Sequence, residues 1–396
     1  MSEAGHTPQL RFPEFGGAWK EKNILELSTM KARIGWQNLR QDEHLESGEY
    51  FLVTGTDFKL DKIDWNNAKY VEYERYIQDK NIILEEGDIL ITKDGSIGKL
   101  AYVSGIGKRK ATLNNGIFRI RIVEDDSKFI YFTFLSRRFK LFLHKLSGGS
   151  SIKHLYQKDF QTYPIALPPK PEQQKIAAFL TEVDNKIELL GKKQELLKAY
   201  KKGVMQKIFA QAIRFKADDG SEFADWEEKK LGDIANITTG EFVIKTKQNP
   251  NAPYPVYNGG RVNTGFYDEF NNEGNKVIIS ARGANAGYVN FENGRYWAGN
   301  SCYSISMLNE TLYSINFYYY FIKHFENRFT DYQQAANIPS VSKKEVSDFK
   351  VMVLSLEEQT KISNFLSSID SKIEQVGKQL DESKQFKKAL LQQMFV

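Results

Sequence analysis

Two groups of loops carry the residue types with which this chain could do chemistry. In the first half they are Lys93-Asp94-Gly95-Ser96-Ile97-Gly98-Lys99, Lys108-Arg109-Lys110, Asn114-Asn115-Gly116 and Ser147-Gly148-Gly149-Ser150-Ser151-Ile152-Lys153-His154. In the second half they are Tyr257-Asn258-Gly259-Gly260-Arg261, Arg282-Gly283-Ala284-Asn285 and Trp297-Ala298-Gly299-Asn300-Ser301. Lysine and arginine neutralise phosphates. Asparagine, aspartate and arginine supply the donors and acceptors that base edges need, and glycine lets a backbone come close to a partner. The candidate contacts are Lys93, Asp94, Ser96, Lys99, Arg109, Lys110, Asn114, Asn115, Ser150 and Lys153, then Tyr257, Asn258, Arg261, Arg282, Asn285 and Asn300. The chemistry they suit is binding of a polyanion with readable edges, that is, a nucleic acid. Any one of these loops could equally be a solvated turn; their recurrence in both halves is the stronger signal.

No catalytic constellation accompanies them. A DNA methyltransferase needs an Asn/Asp-Pro-Pro-aromatic loop and a glycine-rich cofactor turn; Leu167-Pro168-Pro169-Lys170 and Asn249-Pro250-Asn251 have neither chemistry. Gly95-Ser96-Ile97-Gly98-Lys99-Leu100 lacks the glycine spacing and the Ser/Thr after the lysine that a P-loop requires. Glu227-Glu228-Lys229 has no Pro-Asp at the distance of a metal-nuclease motif and reads as a charged surface segment. Five scattered histidines give no metal-ligand spacing, and the single cysteine, Cys302, excludes an internal disulfide framework and zinc-finger patterns. The chain is therefore expected to be non-enzymatic, with no cofactor or metal of its own.

The elements that position the loops follow from length and repeats. The 396 residues suit two or three domains, and 41% hydrophobic content fills real cores. A net charge of +5 restricts any nucleic-acid surface to local patches. Met1-Ser2-Glu3-Ala4-Gly5 lacks a signal-peptide pattern and no apolar run approaches a membrane span, so a cytoplasmic location without membrane contact is expected.

The chain is written twice. Residues 172–188 and 358–374 are identical at ten of seventeen positions with a constant offset of 186. Arg11-Phe12 and Trp19 are echoed by Arg214-Phe215 and Trp226, and Gly87-Asp88-Ile89-Leu90-Ile91-Thr92-Lys93-Asp94-Gly95 by residues 274–283. Apolar residues then step by four and three: Ile176, Leu180, Val183, Ile187, Leu190 and Leu197 in one copy, Ile362, Leu366, Ile369, Ile373, Val376 and Leu380 in the other. That spacing is a coiled-coil seam and predicts a helix pair. Helix one leaves the first domain for the second, so helix two must run back beside it. Ser355 with Glu358 reads as a capping box. Gly191 and Gly377, at equivalent mid-helix positions, suggest close backbone approach where the helices cross, although tolerated surface glycines would look the same.

Between the helices lie β-rich runs (Ile82–Leu84, Asp88–Thr92, Phe118–Val123, Lys276–Ser280, Cys302–Met307) and apolar helical stretches at Phe129–Leu146 and Ser314–Phe325. The expected fold is mixed α+β within the α/β class: two similar globular domains, 1–170 and 212–354, separated by a long antiparallel coiled coil from helices 171–211 and 355–396, with pseudo-two-fold symmetry.

The run from Pro168 to Leu180, repeated from Leu354 to Leu366, resembles the spacer-helix motif of type I restriction–modification specificity subunits. The run Gly87–Gly95 resembles their target recognition domains, and the likeness extends over nearly the whole chain. The second copy departs in lacking the proline pair and in carrying Arg282-Gly283 for Asp94-Gly95. The resemblance implies a non-catalytic subunit whose two recognition domains each read half of a split, asymmetric DNA sequence, the amino-terminal domain reading the 5′ half. It implies a helical spacer that fixes the gap and docks two methyltransferase subunits, which bind S-adenosylmethionine and methylate adenine. Two restriction subunits using ATP and Mg²⁺ complete the complex. Rival readings are a protein-binding coiled-coil scaffold without DNA recognition, and a methyltransferase or nuclease with an unrecognised motif.

Overall fold

In the four-residue strand Ile89–Thr92 every side chain is buried. Alternate residues of a strand point to opposite faces, and here both faces are covered: Ile89 and Ile91 enter one core with Phe118, Ile120, Phe129 and Phe132, while Leu90 enters another with Ala101, Leu113 and Ile117. The second half repeats the device, Val277 and Ile279 facing the main core and Ile278 a small one with Tyr296, Ala298 and Cys302. The protein, described through a computed structural model, is defined for residues 7–59, 61–146, 154–329 and 339–396.

The chain divides into two compact units, Met1–Gly191 with Gln379–Val396, and Lys192–Lys378. In the first, an antiparallel four-stranded sheet has the order Ser28–Lys31, Ile117–Ile122, Ile89–Thr92, Leu100–Tyr102. A three-stranded sheet sets Tyr50–Val53 between Lys69–Val71 and Lys110–Leu113, the last pairing being parallel. Lys20–Asn23 pairs with Pro164–Leu167. The second unit repeats these three sheets, whereas the short pair Phe58–Lys59 with Lys62–Ile63 belongs to the first unit's described strands without a counterpart among those of the second. Its four-stranded sheet runs Ala235–Thr239, Cys302–Met307, Lys276–Ser280, Val289–Glu292. Tyr254–Tyr257 lies between Gly265–Tyr267 and a parallel Trp297–Ala298, and Glu227–Lys230 pairs with Lys350–Val353. Faint sequence similarity thus accompanies the same topology.

Two of the local expectations need correction. Ile82–Leu84 is not a strand: Asp79 accepts from the Asn81 N–H and winds Lys80–Ile82 into a 3₁₀ turn. The helix expected over 129–146 is two helices, Ser127–Leu135 and Arg137–Leu146, because Ser136 is extended (φ −65°, ψ 162°). The helix in the second unit, Ile315–His324, starts where Ser314 accepts from the Phe317 N–H.

The long helices are Lys170–Phe209 and Leu356–Gln393. Their seam residues are the ones withdrawn from water: Ile176, Leu180, Val183, Ile362, Leu366, Ile369, Val376 and Leu380 are buried, and Ile187, Leu190, Leu197 and Ile373 half-buried. In the first unit Ile176, Leu180 and Val183 share a core with Leu390, Met394 and Phe395; in the second Ile362, Leu366 and Ile369 share one with Met205, Ile208 and Phe209. The start of one helix lies against the end of the other, so the pair is antiparallel. Lys387 meets Asp184 at 2.7 Å in the first unit, and its repeat counterpart Lys201 meets Asp370 at 2.6 Å in the second.

The glycine hypothesis fails. A Cβ on Gly191 would meet nothing within 4 Å, and one on Gly377 would meet only the flexible end of Gln194. The capping box is half formed: Ser355 Oγ accepts from the Glu358 N–H at 3.2 Å, but the Glu358 carboxylate turns to Arg214 and Trp226. Among the described residues no helix is long and apolar enough to cross a membrane.

Candidate nucleic-acid interface

Each unit laces the ends of its strands together with the same backbone hydrogen bonds. In the first, Asn114 N–H donates to Val53 C=O (2.9 Å), Lys93 N–H to Gly116 C=O (2.8 Å), Leu155 N–H to Lys93 C=O (2.9 Å) and Gly98 N–H to Thr92 C=O (2.9 Å). In the second, Gly299 N–H donates to Tyr257 C=O (2.7 Å), Ala281 N–H to Ser301 C=O (2.7 Å), Val341 N–H to Ala281 C=O (2.8 Å) and Gly287 N–H to Ser280 C=O (2.8 Å). An isolated β-bridge joins Asp94 to His154 in one and Arg282 to Ser340 in the other. The result is one frame in two copies, on which Thr54, Asp94, Asn115 and His154 correspond to Asn258, Arg282, Asn300 and Ser340.

The frame depends on two glycines in the second unit. Gly259 has φ +80°, and a Cβ there would come within 3.0 Å of the Arg282 carbonyl. Gly283 has φ +87° and matches Gly95 at φ +68°. Both conformations are ones that only glycine adopts without cost. Gly259 also donates its N–H to Cys302 Sγ at 3.1 Å, tying the loop to the buried strand beneath.

In the first unit Lys93, Asp94, Ser96 and Lys99 lie on one hairpin loop, held by Thr92, whose Oγ1 donates to Ser96 C=O and accepts from the Lys99 N–H. Asp94 accepts from Lys93 Nζ (3.0 Å) and pairs with His154 Nδ1. Burial works against its charge, but the hydrogen bonds and positive charge of Lys93 and His154 outweigh that and hold the carboxyl below its usual range. Asn114 Oδ1 accepts from the Asn115 N–H at 2.7 Å, and the buried Asn115 Oδ1 has no partner among the described residues.

Arg109 and Lys110 do not join this cluster. Lys110 opens the strand Lys110–Leu113 whose far end leads to Asn114, about 13 Å along at strand rise. It pairs with Glu49, and Arg109 donates to Gly105 C=O and covers the Trp65 ring. Ser150 and Lys153 lie outside the described residues.

In the second unit Asn258, Arg261, Arg282, Asn285 and Asn300 come together. Asn258 Oδ1 accepts from the Ser301 N–H (3.1 Å) and Asn285 Oδ1 from Arg261 Nε (3.1 Å). Arg282 and Asn300 are exposed. Tyr257 faces inward instead: its hydroxyl donates to Glu292 Oε2 at 2.9 Å, and burial with that carboxylate raises its pKa. Sequence reading missed Thr54, Gly55 and Ser340 and did not single out His154; aligning Thr54-Gly55 with Asn258-Gly259 ahead of the equivalent strands would have found the first two. Among the described residues no cluster of His, Cys, Asp and Glu could hold a metal ion.

The fold and the doubled frame define a protein built from two copies of one mixed α+β unit. Residues 17–199 and 224–383 each match the family described as type I restriction modification DNA specificity domain. The chain belongs to that family, the non-catalytic recognition component of type I systems. It is 29% identical over 245 residues to the type I restriction enzyme MjaVIII specificity subunit of Methanocaldococcus jannaschii, covering 57% of this chain and 55% of that protein; the match thus spans about half of that relative's length. It is 26% identical to the putative MjaX specificity subunit of the same organism, covering 83% and 82%. In fold it is similar to the S subunit of a type I restriction–modification system from M. genitalium, with a TM-score of 0.68 at 19% identity over 98% and 99% of the two chains.

Proposed function

We propose that this chain selects the DNA sequence on which a type I restriction–modification complex acts. Each unit reads one half of a split, asymmetric duplex target, and the helical pair docks two methyltransferase subunits and sets the number of base pairs between the halves. S-adenosylmethionine resides in the methyltransferase partner; ATP and Mg²⁺ serve two restriction subunits; the complex works in the cytoplasm. The observation carrying this reading is the frame itself: matching backbone hydrogen bonds in both units, with different side chains at the matching places. A shared backbone bearing unlike polar groups is what two readers of unlike half-sites require. A scaffold that binds only proteins has no need of it.

The test is to express the chain with its methyltransferase subunits and map adenine methylation genome-wide. A single two-part motif is expected, lost on deletion of the chain. A heptad inserted into both long helices adds about 10.5 Å, or about 3 base pairs, so the gap should lengthen while both half-sites keep their sequence. Altered half-sites would defeat the ruler; methylation without a motif would defeat the reading as a whole.

A further inference from the structure

We propose that Arg282 reads a guanine in the half-site served by the second unit, an inference that rests on the DNA-binding reading above. The position is fixed from both sides: Ala281 is laced to Ser301 and Val341, and Arg282 itself bridges to Ser340. The side chain is exposed, beside a glycine at φ +87° that leaves the approach free of a Cβ. The three loops gathered around it, residues 257–261, 282–285 and 299–301, contain two arginines and no aspartate or glutamate. Of the two, Arg261 commits its Nε to Asn285 and lies 5.7 Å from the Tyr288 ring.

A guanidinium has five donors in a planar fork and no acceptor. The edge that takes two of those donors side by side in the major groove is guanine, through O6 and N7; adenine sets a donor where guanine has O6. The matching position in the first unit holds Asp94, an acceptor already engaged by Lys93 and His154. One frame thus presents opposite chemistry in its two copies, which suits an asymmetric target.

The experiment uses the full complex with methyltransferase subunits on a DNA library randomised over the target, sequencing the methylated products. Wild type should require guanine at one position of the second half-site. Arg282→Gln should lose roughly 5- to 150-fold of that discrimination, drifting toward adenine, with every other position unchanged. Arg282→Lys should keep guanine at reduced preference and serves as the deciding variant if the glutamine form does not fold. Uniform weakening across all sequences would make Arg282 a phosphate contact and overturn the proposal, as would a second half-site without guanine. A wild-type complex with no sequence preference would remove the reading beneath it instead.

Discussion

Glu172, fully buried at the start of the first long helix, accepts from both Nε and Nη2 of Arg11 at 2.7 Å. Glu358 repeats the fork with Arg214 and adds the indole N–H of Trp226 at 3.0 Å. The neighbouring glutamines are used alike: Gln173 accepts from the Asp126 N–H and donates to Pro168 C=O, and Gln359 accepts from the Ser314 N–H and donates to Leu354 C=O. The best-preserved stretch of the repeat therefore clamps each domain to the start of its own helix. Its likeness in the two copies needs no shared external partner.

Removing one member of this fork leaves a buried group unpaired. Glu172→Ala should lower the stability of the first unit by on the order of 2 kcal/mol, since Arg11 remains partly wetted. Urea unfolding followed by fluorescence measures it, and a loss no larger than that of an exposed control such as Glu195→Ala would contradict the clamp.

Gly191 has open space around its Cα in a helix interior. Gly191→Ala should stabilise the protein by about 0.5–1 kcal/mol without changing its assembly. A destabilised variant would restore the close-approach idea that the geometry rejects.

Cys302 is 1% exposed, and burial raises its thiol pKa to about 11. The thiolate is the reactive form, so alkylation at pH 8 should be slow in the native protein and should follow unfolding of the second unit as urea is added. Fast native labelling would show that the floor beneath Gly259 opens.

Asp94 has its folded-state pKa depressed, against the effect of burial, by Lys93 and His154. A lowered carboxyl contributes stability that is present above its unfolded pKa and lost as pH falls through the folded one. The melting difference between wild type and Asp94→Asn should therefore shrink on acidification below about pH 4. A difference independent of pH would mean that the charge does not hold this loop.

What the sequence made legible was whatever has a period or a repeat. The four–three steps from Ile176 to Leu380 marked the residues that the helix pair buries, and the offset of 186 marked Glu172 and Glu358 as equivalents, though not as clamps. Strands Lys276–Ser280 and Cys302–Met307 were legible to the residue because apolar runs bounded by turns have few other solutions. Ser136 was not: a serine between Leu135 and Arg137, with helix-compatible residues on both sides, gives no sign that one helix ends there and another begins. Of the candidate site, the loops with glycine were recovered, whereas Arg109 and Lys110 were drawn in by charge alone and serve Trp65 and Glu49. Charge marks a surface without saying which surface.

The first unit takes Met394 and Phe395 into its core, and Arg138 reaches the Val396 main-chain oxygen at 2.5 Å. A ribosome makes those residues only after the whole of the second unit, Lys192–Lys378. The amino-terminal half therefore cannot finish folding as it emerges, as most leading domains do; it must wait, with Phe129 and Leu180 uncovered, through the synthesis of the whole second unit. During that delay Met205, Ile208 and Phe209 are the nearest segment of the same register, and a nascent chain that seats them in the vacant groove would begin life as a misassembled subunit.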